Sequence, residues 1–475
     1  MNKKHSKIAT LLFSSLLAVG MLGFGSAEAA APGKTYAVFN PYENVDWEAY
    51  GQYKANFHAH STNSDGSNTV AAMVEDHYAK GFDIHALTDH DVLSPNWVEA
   101  RNGVTAARRA EIEAGVGRNG RGMMGLDNTD EQSVTDHINS FFAPFNNASG
   151  ATMASTIAAV EALGGITHLN HPGRYTGGSN SNDATSMAAS NNPAQVQKYV
   201  SLFMAYPSCL GMEIVNKIDN ESKSDRILWD NILKQTMPQG RFVWGFSNDD
   251  THSINATGYS WNVMLMPELT QAATRLAMES GAFYAVSRVS RLDGINRTYP
   301  TGGEVRGDGS TATLYLLEQP TPRISKIEVD RANGSIRISG ADYETVEWIA
   351  DGVVIATGET LLLGEHEAAI GNYVRAQLKS KTGIAFTQPF SIGLEDNGKV
   401  ELVRATPSAS VQKLNGNKNE LTLQIVEVYS DGTQQSIEKT LLIANNAAGV
   451  YEVGAYRVYV DTKGNTQVRE CYLIH

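Results

Sequence analysis

Short apolar runs between Tyr53 and Val289 end in histidine and aspartate, and that placement limits the fold more than any other feature of the chain. Phe57-His58-Ala59-His60 sets two imidazoles two residues apart. Leu87-Thr88-Asp89-His90-Asp91, His168-Leu169-Asn170-His171-Pro172 and Ser247-Asn248-Asp249-Asp250-Thr251-His252 follow the same plan. Residues i and i+2 of a strand share a face. His58 with His60, and Asp250 with His252, can therefore each address one point in space. Strands are expected at Lys54–His58, Phe82–Thr88, Gly165–His171, Met212–Asn216 and Phe242–Ser247. Helices are expected at Thr69–Lys80, Ser155–Leu163, Asp225–Lys234 and Glu268–Ser280, and Asn180–Asn192, rich in Ser, Asn and Ala, reads as a surface loop. Alternating strands and helices make an α/β layer or barrel. In such folds sites are built at the carboxyl ends of strands.

Crowding these ionisable groups without a partner is costly. Divalent metal removes the cost, because it neutralises carboxylates and uses neutral imidazoles. Mixed His and carboxylate ligands suit zinc, manganese or iron. Ser64-Asp65-Gly66 adds a carboxylate at a turn just after His60.

The order His-x-His, Ser-Asp-Gly, Thr-Asp-His, a Glu with a downstream His, His-Pro and Asp-x-His resembles the PHP (polymerase and histidinol phosphatase) family over roughly Tyr53 to Val289. The resemblance implies a distorted seven-stranded β/α barrel with a metal cluster, usually of three ions, that hydrolyses phosphoesters through a metal-activated water. Carried onto this chain, it implies His58, His60 and Asp250 at a first metal and Glu131 bridging first and second. His137 and His171 would complete the second, and Asp65, His90 and His252 would hold the third. His58, His60, Glu131 and Asp250 would then carry catalysis through the water, with two or three divalent ions as cofactors. Asp127, in Gly125-Leu126-Asp127, is the alternative to Glu131.

Other polar residues have plainer readings. His85, inside an apolar run, is expected in the core, His168 is expected to be structural, and His77 is expected to be exposed on its helix. Asp89 either supports a ligand imidazole or caps a turn. Glu213, in a Glu-x-x-Asn segment similar to one in the family, is expected to support the site rather than ligate. Arg174 either reaches a substrate phosphate with a bidentate contact or forms a surface ion pair.

The start of the chain reads as an export signal. Lys3, Lys4 and Lys7 precede an apolar run from Leu11 to Phe24, and Ala27-Glu28-Ala29 offers small residues for cleavage. The mature chain would begin near Ala30 or Ala31, and a retained anchor is the alternative. The expected organisation is residues 1–30 as signal, 31–302 as the metal-dependent hydrolase, 303–394 as a β-sandwich and 399–475 as a small β-rich unit. The last two rest on short β-rich runs such as Thr311–Leu317, Lys326–Val329, Ser335–Ser339, Val353–Thr357, Glu420–Tyr429 and Ala455–Asp461, with a linker at Leu394–Gly398. Cys209 and Cys471 fall in different units and read as separate thiols.

The net charge of −13 provides no electrostatic footprint for nucleic acid. An anionic substrate then needs a local positive centre, which metal supplies. No P-loop or Gly-x-Ser-x-Gly element is present. The resulting expectation is a secreted or envelope-associated metal-dependent phosphoesterase acting on small-molecule or envelope phosphate mono- or diesters, with envelope contact through the β-rich units. An amidohydrolase and an envelope-binding protein with a structural metal are the rivals. An amidohydrolase typically adds a strand-borne lysine, whereas Ser-Asp-Gly and Thr-Asp-His fit it poorly.

Overall fold

The computed structural model describes residues 36–97, 103–133, 136–146, 150–176, 184–217, 223–290, 292–295, 319–394, 402–414, 418–429, 434–444, 448–453, 456–461 and 464–470. The export signal, Thr311–Leu317, Cys471 and the linker beyond Leu394 lie outside the described residues.

The architecture is mixed α/β, with most strands gathered into two sheets. Strands β1 (Tyr36–Phe39), β2 (Gly51–Asn56), β3 (Ile84–His85) and β4 (Met124–Gly125) are followed by β5 (Asp130–Gln132), β6 (Ile138–Phe141), β7 (Ile166–Leu169), β8 (Cys209–Asn216), β9 (Trp244–Asn248), β10 (Ser260–Met266) and β11 (Phe283–Ser287). In one sheet β10 lies antiparallel between β11 and β2, with Asn262 opposite Ala55, and β2, β3 and β4 run parallel. In the other the order is β5-β6-β7-β8-β9, antiparallel as far as β7 and parallel from there to β9. Side chains and isolated bridges join the two sheets. Asn262 donates to the Ser247 carbonyl at 2.8 Å and accepts from the Ser247 amide at 3.0 Å. The isolated bridges Ala59–Thr251 and His90–Glu131 tie segments beside the two sheets together.

Helices α1 (Val70–Ala79), α2 (Ala106–Glu113), α3 (Met153–Ala162), α4 (Ala184–Ala189), α5 (Pro193–Ala205), α6 (Lys223–Thr236) and α7 (Gln271–Ser280) punctuate the strands. α1 starts where the Thr69 hydroxyl accepts from the Ala72 amide. It buries Val70, Met73, Val74, His77 and Tyr78, the i, i+3, i+4, i+7, i+8 stripe of an amphipathic helix. His77 is therefore buried, not exposed as its polar neighbours imply. Its ring bonds the Met73 carbonyl at 2.8 Å and meets Asn56 at 2.9 Å. α4 occupies part of the expected loop Asn180–Asn192, and α5 follows at once, capped by Asn192 with Pro193 at its first position. Strand β3 is much shorter than the expected Phe82–Thr88.

Under the strand ends the interior is closed by aromatic rings. Phe57 meets Phe141 and Phe246 edge-on at 5.9 and 6.3 Å, and the His168 ring stacks on Phe246 at 4.7 Å. Burial of each phenylalanine contributes roughly 1.5–3 kcal/mol.

The larger sheet continues into the later part of the chain. β11 pairs with Gly383–Phe386, which pairs with Tyr373–Ser380, then Phe390–Leu394, and finally β1. Residues 319–394 thus divide their strands between this sheet and a three-stranded sheet of Arg323–Asp330, Ser335–Ala341 and Thr360–Leu362. Beyond residue 402, two three-stranded sheets share a small core that includes Leu421, Leu423, Ile425 and Val458. No helix among the described residues is long and apolar enough to cross a membrane. Cys209 is buried.

Candidate metal centre

The His-x-His pair leaves the end of β2 pointing into the space between the sheets. His58 and His60 are both fully buried, and their Nε2 atoms lie 3.0 Å apart. Asp250, just past β9, places Oδ1 3.4 Å from His58 Nε2 and 3.2 Å from His60 Nε2. Glu131, in β5, faces the same two nitrogens at 3.2 Å each, one with each carboxylate oxygen. It also meets His137 Nδ1 at 3.0 Å, His90 Nδ1 at 2.9 Å and His171 Nε2 at 3.9 Å. Asp65 stands at the open edge, 3.3 Å from His252 Nε2 and 3.6 Å from His90 Nε2 and His60 Nδ1.

The candidate ligands therefore fall into overlapping groups, each with donor atoms within 4.8 Å of one another. These are His58, His60 and Asp250; His58, Glu131 and His171; His90, Glu131 and His137; and His60, Asp65, His90 and His252. Two atoms that each ligate one ion at ~2.1 Å sit roughly 3–3.4 Å apart at tetrahedral or octahedral angles. The His58, His60, Asp250 and Glu131 spacings match that range. Glu131 Oε2, Asp250 Oδ1, His90 Nδ1 and His171 Nδ1 are buried with no hydrogen-bond partner among the described residues. Imidazole and carboxylate donors packed this closely fit divalent ions, which can replace the protons that otherwise hold such groups together. Asp127 lies elsewhere, paired with Arg109 at 3.5 Å.

The electrostatics show the same convergence. Burial pushes His60 down, but Asp250 and Glu131 outweigh it and hold the imidazole up at about 9. His58 is likewise raised well above its ordinary value, with Asp250, Glu131 and Glu213 overcoming burial. Burial raises the Glu131 and Asp250 carboxyls, yet the facing imidazoles, with Lys217 at Asp250, hold both well below the usual range. For His171, burial wins and the imidazole stays neutral.

Partners behind the candidate ligands fix their orientation. Glu213, in β8, takes His58 Nδ1 at 2.8 Å, which leaves Nε2 for the cluster. Its other oxygen accepts the His171 amide at 3.0 Å and the Asn216 amide group at 2.8 Å. His252 Nδ1 bonds the Asp250 carbonyl at 2.9 Å, turning Nε2 toward Asp65. Asp89 bonds no imidazole among the described residues. It accepts from the Ser61 amide, the Ser61 hydroxyl and the Ser64 hydroxyl, each at 2.7 Å, and so pins the turn after His60. Arg174 follows His171 in the short 3₁₀ turn Pro172–Tyr175 and lies 6.0 Å over the Tyr175 ring.

His85 and His168 sit in the core, as their sequence surroundings imply. Burial holds His85 down at about 3 and His168 at about 4. Sequence reasoning overlooked two residues. Asn170 donates to Glu131 at 2.6 Å and to Asn139 at 2.8 Å. Lys217, immediately after β8, places Nζ 3.2 Å from Asp250 Oδ2. Asparagines at successive strand ends (Asn56, Asn139, Asn170, Asn216, Asn248) were the available signal for the first; nothing marked the second. His171, Lys217 and Asp250 all adopt left-handed backbone, with φ of 32°, 55° and 42°. For residues other than glycine this costs roughly 1–3 kcal/mol each, and such strain gathers at functional sites.

No protein-family model matches the chain, and no curated protein matches it in sequence. Among solved structures, it is similar to a two-domain protein of Bacteroides vulgatus ATCC 8482 containing a predicted PHP-like metal-dependent phosphoesterase. Identity is 15%, covering 83% of this chain and 97% of that one, with a TM-score of 0.36. It is also similar to an amidohydrolase from Chromobacterium violaceum with bound sulfate and no metal, at 15% identity over 42% of this chain and 87% of that one, TM-score 0.29.

Proposed function

We propose that this chain is an exported metal-dependent phosphoesterase of the PHP type, with a barrel-like metal-bearing unit in residues 31–302. The overlapping groups of His, Asp and Glu donors, with Glu131 shared between two of them, carry the reading. The near-ring of strands from β2 round to β10, bridged at Asn262–Ser247, supports the barrel. His58, His60 and Asp250 would hold one ion, with Glu131 reaching to a second completed by His137 and His171, and Asp65, His90 and His252 offering a third site. Bound ions of this kind supply the Lewis acidity that acidifies water and offsets charge on a phosphoryl group in transfer. The chain's own groups orient that chemistry. Glu213 fixes the His58 tautomer, Asn170 steadies Glu131, and Asp89 holds the His60–Ser64 turn. Zinc, manganese and iron all suit the donor set.

Elemental analysis of the purified mature protein is paired with hydrolysis of nitrophenyl phosphate and bis-nitrophenyl phosphate, with and without chelator. Two or three ions per chain and chelator-sensitive turnover are expected, and the preferred ester separates monoesterase from diesterase. Metal-loaded protein inert on both esters would remove the phosphoesterase reading. The amidohydrolase alternative draws on one observation, the lysine at the end of β8 beside Asp250. Glu131 already fills the shared position between donor groups, so the phosphoesterase reading is preferred. Turnover of amide substrates in place of both esters would reverse that preference.

A further inference from the structure

We propose that the Tyr175 hydroxyl donates a hydrogen bond to a phosphoryl oxygen of the substrate, an inference that rests on the phosphoesterase reading and adds a residue to that same site. Tyr175 ends the short 3₁₀ turn that begins just after His171. Its ring centre lies 5.7 Å from that of His171 and 5.6 Å from that of His137, and the two imidazoles are themselves 5.3 Å apart. Both imidazoles approach Glu131 Oε1, His137 at 3.0 Å and His171 at 3.9 Å. The tyrosine therefore stands beside the donors assigned above to the second ion. The charges of Glu131 and Asp250 both reach its phenol, so the hydroxyl end of the side chain, and not only the ring, is near the cluster.

The turn fixes where this residue starts. The Tyr199 hydroxyl donates to the Pro172 carbonyl at 3.0 Å, the Arg174 amide to the His171 carbonyl at 3.1 Å and the Thr176 hydroxyl to the Gly173 carbonyl at 2.9 Å, while Asp225 accepts the Gly173 amide. The Tyr175 hydroxyl, by contrast, has no hydrogen-bond partner among the described residues, and the side chain is only half-buried. His137 beside it is 19% exposed, so solvent reaches the cluster along this edge. A ring packed here only to steady two imidazoles would need no hydroxyl, since phenylalanine has the same shape. A phenol carries one O–H donor, and a charged phosphoryl oxygen is a strong acceptor. A neutral donor also suits this place, because it can hold an anionic oxygen without competing with the ions for Glu131 and Asp250.

The test uses the purified protein loaded with manganese and inorganic phosphate as probe, with binding read by calorimetry and metal content by elemental analysis. Tyr175→Phe keeps the ring and removes only the hydroxyl. It is expected to weaken phosphate binding at least ~10-fold with unchanged metal content, the size of one lost hydrogen bond to a charged group. Equal phosphate binding by Tyr175→Phe and the parent overturns the proposal. Tyr175→Leu, which removes the ring as well, guards against a structural role: binding kept in Tyr175→Phe and lost only in Tyr175→Leu makes the ring the acting group and overturns the proposal too. So does metal loss in Tyr175→Phe, which would make the ions the only partners this hydroxyl serves. A loaded parent that binds no phosphate overturns it as well. Ester hydrolysis is followed in parallel: phosphate binding that depends on the Tyr175 hydroxyl without hydrolysis sinks the phosphoesterase reading alone, whereas hydrolysis with hydroxyl-independent binding sinks this inference alone.

Discussion

His58 and His60 at the cluster and His85 and His168 in the core are all fully buried, yet their protons behave oppositely. Burial disfavours the charged imidazole in all four. In the core nothing opposes it strongly, and the rings sit against His77, Trp97, Phe141 and Phe246 as neutral, nearly apolar plates. At the cluster Glu131 and Asp250 reverse the sign. The comparison teaches that a buried histidine marks a site only when carboxylates converge on it. Backbone conformation separates the regions too. His85 and His168 lie inside strands, whereas His171, Lys217 and Asp250 sit in left-handed positions just beyond strand ends.

The sharpest way to break the contrast is to remove the charge that defines the cluster while keeping its shape. Glu131→Gln is expected to lose metal, measured by elemental analysis, and to lower ester hydrolysis by at least roughly 10²–10³-fold. Retained metal with unchanged turnover would mean that Glu131 is not the shared ligand. Glu213→Gln tests the layer behind. It keeps a hydrogen-bonding group near His58 but removes the negative charge there. Metal affinity is expected to fall about 10–100-fold, measured by competition with a chelator. An affinity equal to the parent's would show that Asn216 and Asn248 suffice to hold this corner.

Acid separates the two regions through stability. His85 and His168 have folded values of about 3 and about 4, below the ordinary 6.5, and His77 is also lowered. Below pH 6.5 the unfolded chain therefore binds protons that the folded core refuses. Stability contributed by these groups is full above pH 6.5. It falls as the pH drops toward 3–4, with a limiting slope of about 1.4 kcal/mol per pH unit for each histidine. Urea denaturation of His85→Phe and of the parent, at steps from pH 7.5 to 5, checks this. The variant should show the shallower decline, and equal slopes would contradict a neutral buried His85.

Much of the cluster was legible because strand-end histidines and carboxylates obey local rules. His-x-His uses the two-residue period of a strand, and Ser64-Asp65-Gly66 and His171-Pro172 are turn chemistry. The parts that were not legible depend on partners distant in sequence. Asp89 seemed free to support an imidazole, but Ser61 and Ser64 occupy both its oxygens. Lys217 has no sequence pattern, since its meaning comes from Asp250, which reaches it only through the pairing of β8 with β9. The addition of Gly383–Phe386 to β11 is similarly a long-range pairing that alternation within either segment cannot specify. His77 was readable and was missed, because its acidic neighbours Glu75 and Asp76 obscured its place on the buried stripe of α1.

The smallest effect is expected at His168, and it bears most directly on the comparison. Both ring nitrogens are buried with no hydrogen-bond partner among the described residues, and the ring stacks on Phe246. An imidazole used only as a plate should be replaceable by a hydrocarbon ring. His168→Phe removes two unpartnered polar atoms, which favours the folded state, and adds a little volume, which opposes it. The net change in unfolding free energy is expected within about 1.5 kcal/mol, with metal content and turnover unchanged. Calorimetric melting and elemental analysis on the same preparation decide the point. Loss of metal in this variant would tie the floor of the interior to the cluster above it, and the division between the two kinds of buried histidine would no longer hold.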